Sequence, residues 1–250
     1  MHRLMTELNN AGDQSNPLDQ WTMRIQKGEK QLAVLIDPDK CGKDLVPKLL
    51  NHLPNDTTHI FVGGSTVAPG ATHDLIVTVK RQTQRPVWIF PGDAEQISPA
   101  ADALLFLSLV SGDNPEYLIL QQERAAAKLK AMNLFAIATG YLLIDGGTDS
   151  AVARVTQTHP MSLSDPDKIL NRAMAAYYMG AKSIYLEAGS GAKNPIPEEV
   201  IGMIKKQTNL PLIVGGGLRS TQQIEAAWTA GADMVVIGTA IEEVLSLTDY

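Results

Sequence analysis

Residues 211–240 read PLIVGGGLRSTQQIEAAWTAGADMVVIGTA. Two short apolar runs, PLIVGGG (211–217) and MVVIGTA (234–240), flank a segment, TQQIEAAWTAG (221–231), that begins behind Ser220 and stops on Gly231. Serine before and glycine after are helix start and stop signals. The flanking runs are nearly continuous in hydrophobicity and lack the alternation of a sheet with one wet face, which is how parallel strands covered on both sides read. Both runs end abruptly in glycine, so each strand end either turns tightly or lets something come close to its backbone.

The same unit recurs along the chain. Comparable runs are QLAVLID (31–37), THIFVGGS (58–65), PVWIFPG (86–92), ALLFLSLV (103–110), LFAIATGYLLI (134–144) and SIYLEA (183–188). Helical patterns cover 17–28, opened by Asn16-Pro17, then DLVPKLLNHL (44–53), YLILQQERAAAKLKAM (117–132), DPDKILNRAMAAYYMG (165–180) and PEEVIGMIKKQ (197–207). The last has Pro and Glu in its first turn and Lys in its last, as the helix dipole prefers. Eight strands alternating with helices predict an α/β protein folded as a (β/α)8, or TIM, barrel. A doubly wound open sheet is the competitor, and the count of eight favours the closed barrel. One link is irregular: DAEQISPAAD (93–102) is too short for a full crossover, so the third helix is expected to be short or replaced by a loop. No low-complexity linker interrupts the chain, so residues 1–250 are read as one domain, with 1–16 a polar leader expected to be flexible.

Bulk composition narrows the functional classes. The chain has 250 residues, 44% hydrophobic and 19% charged, with a net charge of −6. That balance argues against a general nucleic-acid binder, which needs a basic surface. It does not argue against a small anionic substrate, because backbone dipoles or a metal hold phosphate locally. The one cysteine, Cys41, allows neither an internal disulfide nor a zinc cluster and points to a reducing, cytoplasmic setting. No segment reads as a signal peptide or a membrane span.

In a TIM barrel the chemistry lies at the C-terminal strand ends, with phosphate often held after strands seven and eight. Here strand six ends in EAGSG (187–191), strand seven in GGG (215–217) and strand eight in Gly238-Thr239. Glycine lets successive N–H groups approach an anion without an intervening side chain. Ser190 and Thr239 add hydroxyl donors. Each loop alone reads equally well as a turn; three on one rim point to a monophosphate cradle.

Strand one ends in Ile36-Asp37-Pro38-Asp39-Lys40. Asp-Pro-Asp is good turn chemistry, and it also suits a hard cation, since magnesium takes a few carboxylate oxygens, keeps waters and binds substrate phosphate. Strand two ends nearby in Gly63-Gly64-Ser65-Thr66, so Asp37 with Ser65 is the candidate magnesium shell, to be completed by a diphosphate. A cradled monophosphate opposite a metal-bound diphosphate points to group transfer between two phosphorylated substrates.

Five blocks in order, DPDK (37–40), GGS (63–65), SGDNPEYLI (111–119), YLEAGSG (185–191) and VGGGLRS (214–220), resemble the geranylgeranylglyceryl phosphate synthase family from about residue 20 onward. The resemblance implies a TIM barrel that moves a long prenyl group from a prenyl diphosphate to the C3 hydroxyl of sn-glycerol 1-phosphate, with Mg2+. It assigns metal binding to Asp37 and Ser65. It assigns glycerol-phosphate contacts to Tyr185, Leu186, Glu187, Ala188, Gly189, Ser190, Gly191, Gly216, Gly217, Gly238 and Thr239. Two positions depart from the family pattern: Thr239 stands where Asn is frequent, and Leu35 where some relatives carry Lys, so any phosphate contact from that Lys is absent unless Lys40 substitutes for it.

Glu187 is the candidate base for the hydroxyl proton, or else a carboxylate that only hydrogen-bonds the glycerol, and Tyr185 would orient the same group. The tail needs an apolar trench, for which Trp88, Ile89, Phe90, Phe106 to Val110, Tyr141, Leu142 and Leu143 are candidates, each also readable as barrel core. The short link at 93–102 would open it. The competing functions are a phosphosugar isomerase or synthase on the same cradle, and a non-catalytic phosphoglycerol-binding protein. A homo-oligomer, dimer or larger, is expected from the family; Met174, Tyr177, Tyr178 and Trp228 on the later helices either cover the sheet or form its interface.

Overall fold

A computed structural model describes residues 15–238. Eight strands, β1 (Gln31–Ile36), β2 (Thr57–Val62), β3 (Val87–Ile89), β4 (Ala103–Leu109), β5 (Ala136–Leu143), β6 (Ser183–Glu187), β7 (Leu212–Gly215) and β8 (Met234–Ile237), pair in sequence order. All pairings are parallel, and β8 returns to β1 with Gln31 opposite Met234. The sheet is a closed barrel, as the strand count predicts.

The helices are α1 (Pro17–Gln26), α2 (Val46–Asn51), α3 (Ala71–Lys80), α4 (Gln121–Met132), α5 (Ala151–Thr156), α6 (Pro166–Tyr178), α7 (Glu198–Thr208) and α8 (Thr221–Ala230). The opening unit folds as read: Ser220 and Gln223 form a reciprocal capping box at the start of α8, and Gly231 ends it at φ 119°. Among the described residues no helix lies between β3 and β4; residues 90–102 run as an irregular link. Two helices escape the sequence reading. In α3, Thr72, Ile76, Val77, Thr78 and Val79 are β-branched and mimic a strand, yet Thr72, Leu75, Ile76 and Val79 are buried with helical spacing. α5 is only six residues long. The segment expected as helix from 117 begins as a π-helical turn, Glu116–Leu120, before α4.

Alternate residues on each strand enter two different cores, which explains the unbroken apolar runs. Ala33, Phe61, Trp88, Leu105, Ile137, Tyr141, Tyr185, Ile213 and Val236 fill the barrel, joined by Trp21 from α1 edge-on to Trp88 at 5.6 Å. Val34, Ile36, Val62, Ile89, Leu142, Leu186 and Val214 pack outward under the helices. Trp228 on α8 is half-buried; its Nε1 donates to the Gln31 carbonyl at 3.1 Å, so it covers the start of β1. At the end of α6, by contrast, Tyr178 and Met179 are 78% and 71% exposed.

Candidate functional site

The C-terminal strand ends surround a polar mouth of about 510 Å³. Asp37, Asp39 and Lys40 after β1, Ser65 and Thr66 after β2, Tyr185, Glu187, Ser190 and Gly191 from β6 onward, Gly216 and Gly217 after β7, and Gly238 after β8 all line it. The two anion devices expected from sequence therefore face one cavity. Thr239 lies outside the described residues.

Glu187 is a strongly perturbed carboxylic acid in the mouth. It is 6% exposed, and loss of water raises its carboxyl from the usual carboxylate range to about 7, against the opposing pull of two donors, the Gly189 N–H and the Tyr185 hydroxyl. The Gly189 N–H donates to Oε1 at 2.7 Å. The glycines of β7 make this arrangement possible. A Cβ on Gly215 would lie 2.4 Å from the Tyr185 hydroxyl, and one on Gly216 would lie 2.5 Å from Glu187 Oε1. Gly216 and Gly217 also sit at φ 85° and 71°, where side chains are strained. Gly191 and Gly238 differ: a Cβ on Gly191 meets nothing within 4 Å, and one on Gly238 comes no closer than 3.6 Å. Gly215 and Gly216 thus make room for the protein's own carboxylate and phenol, while Gly191 and Gly238 leave backbone open to a ligand.

Two of the residues assigned by resemblance to substrate contact point elsewhere. The side chains of Leu186 and Ala188 are buried in the core beneath the helices. The Gly189 N–H is already used by Glu187. Any contact from Leu186 or Ala188 would come from the main chain.

Across the mouth, the Asp37 side chain is 22% exposed, with Lys40 Nζ at 3.9 Å and the Asp39 N–H donating to Oδ1 at 3.0 Å. Gly64 backs it so closely that a Cβ there would fall 2.8 Å from Oδ1. Among the described residues no cluster of three or more His, Cys, Asp or Glu forms a complete metal cage. One accessible carboxylate and a neighbouring serine hydroxyl fit magnesium that keeps waters and takes its remaining oxygens from a diphosphate. Sequence reading missed two cations of the mouth: Arg154, paired with Asp149 at 2.7 Å, and Arg219, which donates to the Gly191 carbonyl at 3.3 Å. Arg219 stands inside the VGGGLRS block; nothing in the sequence singles out Arg154.

Beside the mouth runs an apolar trench between β4 and α4, bounded by Pro91, Ala94 and Ile97 of the irregular link and by Val152 and Val155 of α5. The link thus borders the trench where a third helix would stand. Phe90, Phe106, Leu107, Leu109 and Tyr141 line it as expected. Trp88, Ile89, Ser108, Val110, Leu142 and Leu143 do not: Trp88 and Leu143 face the barrel interior, Ile89, Val110 and Leu142 face the outer core, and the Ser108 hydroxyl donates to the Leu118 carbonyl at 3.3 Å. Mouth and trench share Gly64, Ser65, Phe90, Tyr141 and Val152. At that junction Phe90 stacks on Tyr185 at 5.1 Å, and Tyr141 stands edge-on to both rings at 5.8 and 5.3 Å. The Tyr141 hydroxyl is buried without a hydrogen-bond partner, and burial together with the Glu187 charge holds its pKa well above the usual phenol value.

Known proteins match most of the chain. The profile of the PcrB family matches residues 23–248. A geranylgeranylglyceryl phosphate synthase of Flavobacterium johnsoniae is 52% identical over 87% of this chain and 90% of its own. Another, of Zunongwangia profunda, is 50% identical over 86% of this chain and 92% of its own. The crystal structure of (S)-3-O-geranylgeranylglyceryl phosphate synthase from Thermoplasma acidophilum, in complex with substrate sn-glycerol-1-phosphate, superimposes with a TM-score of 0.83 at 33% identity, covering 91% of this chain and 92% of that one.

Proposed function

The chain belongs to the PcrB family, and on that premise we propose that it is a geranylgeranylglyceryl phosphate synthase, transferring a geranylgeranyl group from its diphosphate to the C3 hydroxyl of sn-glycerol 1-phosphate to form an ether-lipid precursor. The observation that carries this reading is the junction: a polar mouth and an apolar trench meet at Gly64, Ser65, Phe90, Tyr141 and Val152. A small phosphosugar has no use for the trench, and a passive phosphoglycerol binder has none for a buried carboxylate poised near neutrality.

The acceptor lies with its phosphate against the open backbone of Gly191 and Gly238 and the neighbouring main chain of Gly217, and its C3 hydroxyl toward Glu187. With a pKa of about 7, Glu187 is ionised in a useful fraction at neutral pH and basic enough to take the hydroxyl proton. The Gly189 N–H and the Tyr185 hydroxyl fix the carboxylate in place. The prenyl tail occupies the trench, which brings its first carbon to the junction. The C3 oxygen forms a bond to that carbon as the carbon–oxygen bond to diphosphate breaks, diphosphate leaving with the electron pair and the proton passing to Glu187. The rings of Phe90, Tyr141 and Tyr185 keep water from the allylic carbon and present π-electron density to its developing charge. Asp37 and Ser65 are the residues that would hold Mg2+, whose contribution when bound is to neutralise the departing diphosphate. Fixing both reactants at one junction supplies much of the rate.

The free, buried thiol of Cys41 supports a cytoplasmic setting, and no helix among the described residues is long and apolar enough to cross a membrane. The exposed Tyr177, Tyr178 and Met179 at the end of α6 are the surface we assign to a second copy. The test of function is incubation with labelled glycerol 1-phosphate, geranylgeranyl diphosphate and magnesium, with and without EDTA. A labelled product that moves into organic solvent only in the magnesium arm is expected; no extractable product at any prenyl length would overturn the reading.

A further inference from the structure

The link that replaces the third helix carries a glutamine with an unusual set of partners. Gln96 is 3% exposed. Its Nε2 donates to the Gly64 carbonyl at 2.9 Å, and its Oε1 accepts from the Gly92 N–H at 3.2 Å and the Gly64 N–H at 3.4 Å. One side-chain amide therefore holds both polar groups of a single residue and ties them to the strand end opposite.

Glycines keep the space for it. A Cβ on Gly92 would lie 2.3 Å from the Gly64 carbonyl oxygen and 2.9 Å from Gln96 Nε2, and one on Gly63 would lie 1.8 Å from the Phe90 carbonyl oxygen. The ends of β2 and β3 approach backbone to backbone, and the amide bridges the gap that remains. The link is anchored from its other side, where the Ala94 N–H donates to Gln121 Oε1 at 2.8 Å and Lys128 pairs with Glu95 at 2.6 Å, both partners belonging to α4. Gly64 in turn backs the Asp37 carboxylate and precedes Ser65, which lines both mouth and trench.

We propose that Gln96 is a positioning residue for the donor half of the site, fixing the Gly64 peptide so that Ser65 and Asp37 meet the diphosphate head of the prenyl donor in one geometry. The inference rests on the prenyl-transfer reading above. Only an uncharged amide serves here, because two N–H groups need an acceptor while the carbonyl needs a donor. Glutamate keeps the acceptors, loses the donor and sets a carboxylate against the Gly64 carbonyl; leucine keeps the bulk and loses all three bonds. Every partner of the amide lies on the donor rim, and none belongs to β6, β7 or β8. Loss of the amide therefore weakens donor binding and leaves acceptor binding alone, a split that a general loss of stability would not produce.

The experiment compares wild type, Gln96→Leu and Gln96→Glu by calorimetry, with magnesium present, for binding of unreactive geranylgeranyl thiodiphosphate and, separately, of sn-glycerol 1-phosphate. Partners one shell out from a binding site usually matter by 10- to 100-fold, so donor affinity should fall about tenfold or more in both variants while acceptor affinity moves by no more than about twofold. Gln96→Glu, with the same chain length, stands in should Gln96→Leu not fold. Unchanged donor affinity, or equal loss for both ligands, would overturn the role of Gln96. A wild-type protein that binds no prenyl thiodiphosphate would instead overturn the proposed function on which the donor half-site depends.

Discussion

The two rims of the mouth are built differently. On the β6–β8 rim, Glu187 is buried, held by a main-chain N–H and a phenol, and packed by glycines so closely that a single methyl would collide with it. On the β1–β2 rim, Asp37 is partly exposed, and the candidate shell consists of one carboxylate and one hydroxyl. One rim is finished by the fold. The other leaves a carboxylate and a hydroxyl on a short loop, a shell that in the proposed reaction the ligand would complete. In the proposed reaction preorganisation sits where the proton moves, because a general base works only from a fixed position, while a hydrated metal and a diphosphate would bring ligands of their own.

Removing the proposed base should separate the two rims most strongly. Glu187→Gln keeps the hydrogen-bond acceptor and loses the proton acceptor, so kcat should fall by about 10²- to 10⁴-fold while glycerol 1-phosphate affinity is little changed. A variant that loses affinity and keeps kcat would reduce Glu187 to a contact. On the opposite rim, Asp37→Asn should raise the KM for prenyl diphosphate, and the magnesium needed for half activity, by about 10- to 100-fold without altering acceptor KM; symmetrical loss would deny the division into halves. Smaller changes are expected in the trench. Ala125→Phe, in its wall on α4, should shift preference toward shorter prenyl donors by about tenfold, the scale of a few buried methylenes. Trp88→Ala, inside the barrel, should lower the melting temperature and leave length preference unchanged. A length effect at Trp88 would mean the trench runs elsewhere.

The last effect is on stability. Glu187 titrates near 7 in the fold against 4.5 for an ordinary glutamate. Between those values the folded protein keeps a proton that the unfolded chain releases, so this group increasingly disfavours the fold as pH rises from 4.5 to 7, by roughly 3 kcal/mol at most. Glu187→Gln removes that dependence. The variant should match wild type near pH 4.5 and exceed it in melting temperature at pH 8; equal melting at both would place the carboxyl in water.

What the sequence discloses about these rims follows the same division. The eight strands are legible because strands covered on both faces are apolar throughout. The glycines after β6, β7 and β8 are legible as a group, and Glu187 with them, because they stand at successive strand ends along one side of the mouth. What those glycines serve is less visible. That Gly215 stands opposite Glu187 is a fact of strand register, and the collision a Cβ would cause cannot be read from GGG. Trp88 fails as a trench residue for a related reason: on a strand buried on both sides, composition does not say which face a side chain takes. Helix α3 is hidden by its β-branched residues. Gln96 is hidden more completely, since its role depends on Gly64 and Gly92 meeting through space.

In the proposed reaction acceptor and donor occupy separate halves of the site that meet beside Glu187. A crystal structure with sn-glycerol 1-phosphate, magnesium and geranylgeranyl thiodiphosphate bound together tests this arrangement most directly. The glycerol phosphate should lie against Gly191, Gly217 and Gly238 with its C3 hydroxyl within hydrogen-bonding distance of Glu187. The diphosphate should lie at Asp37 and Ser65, with the tail passing Phe90 and Tyr141 into the trench under α4. A tail lying outside that trench, or a C3 hydroxyl turned away from Glu187, would contradict this arrangement.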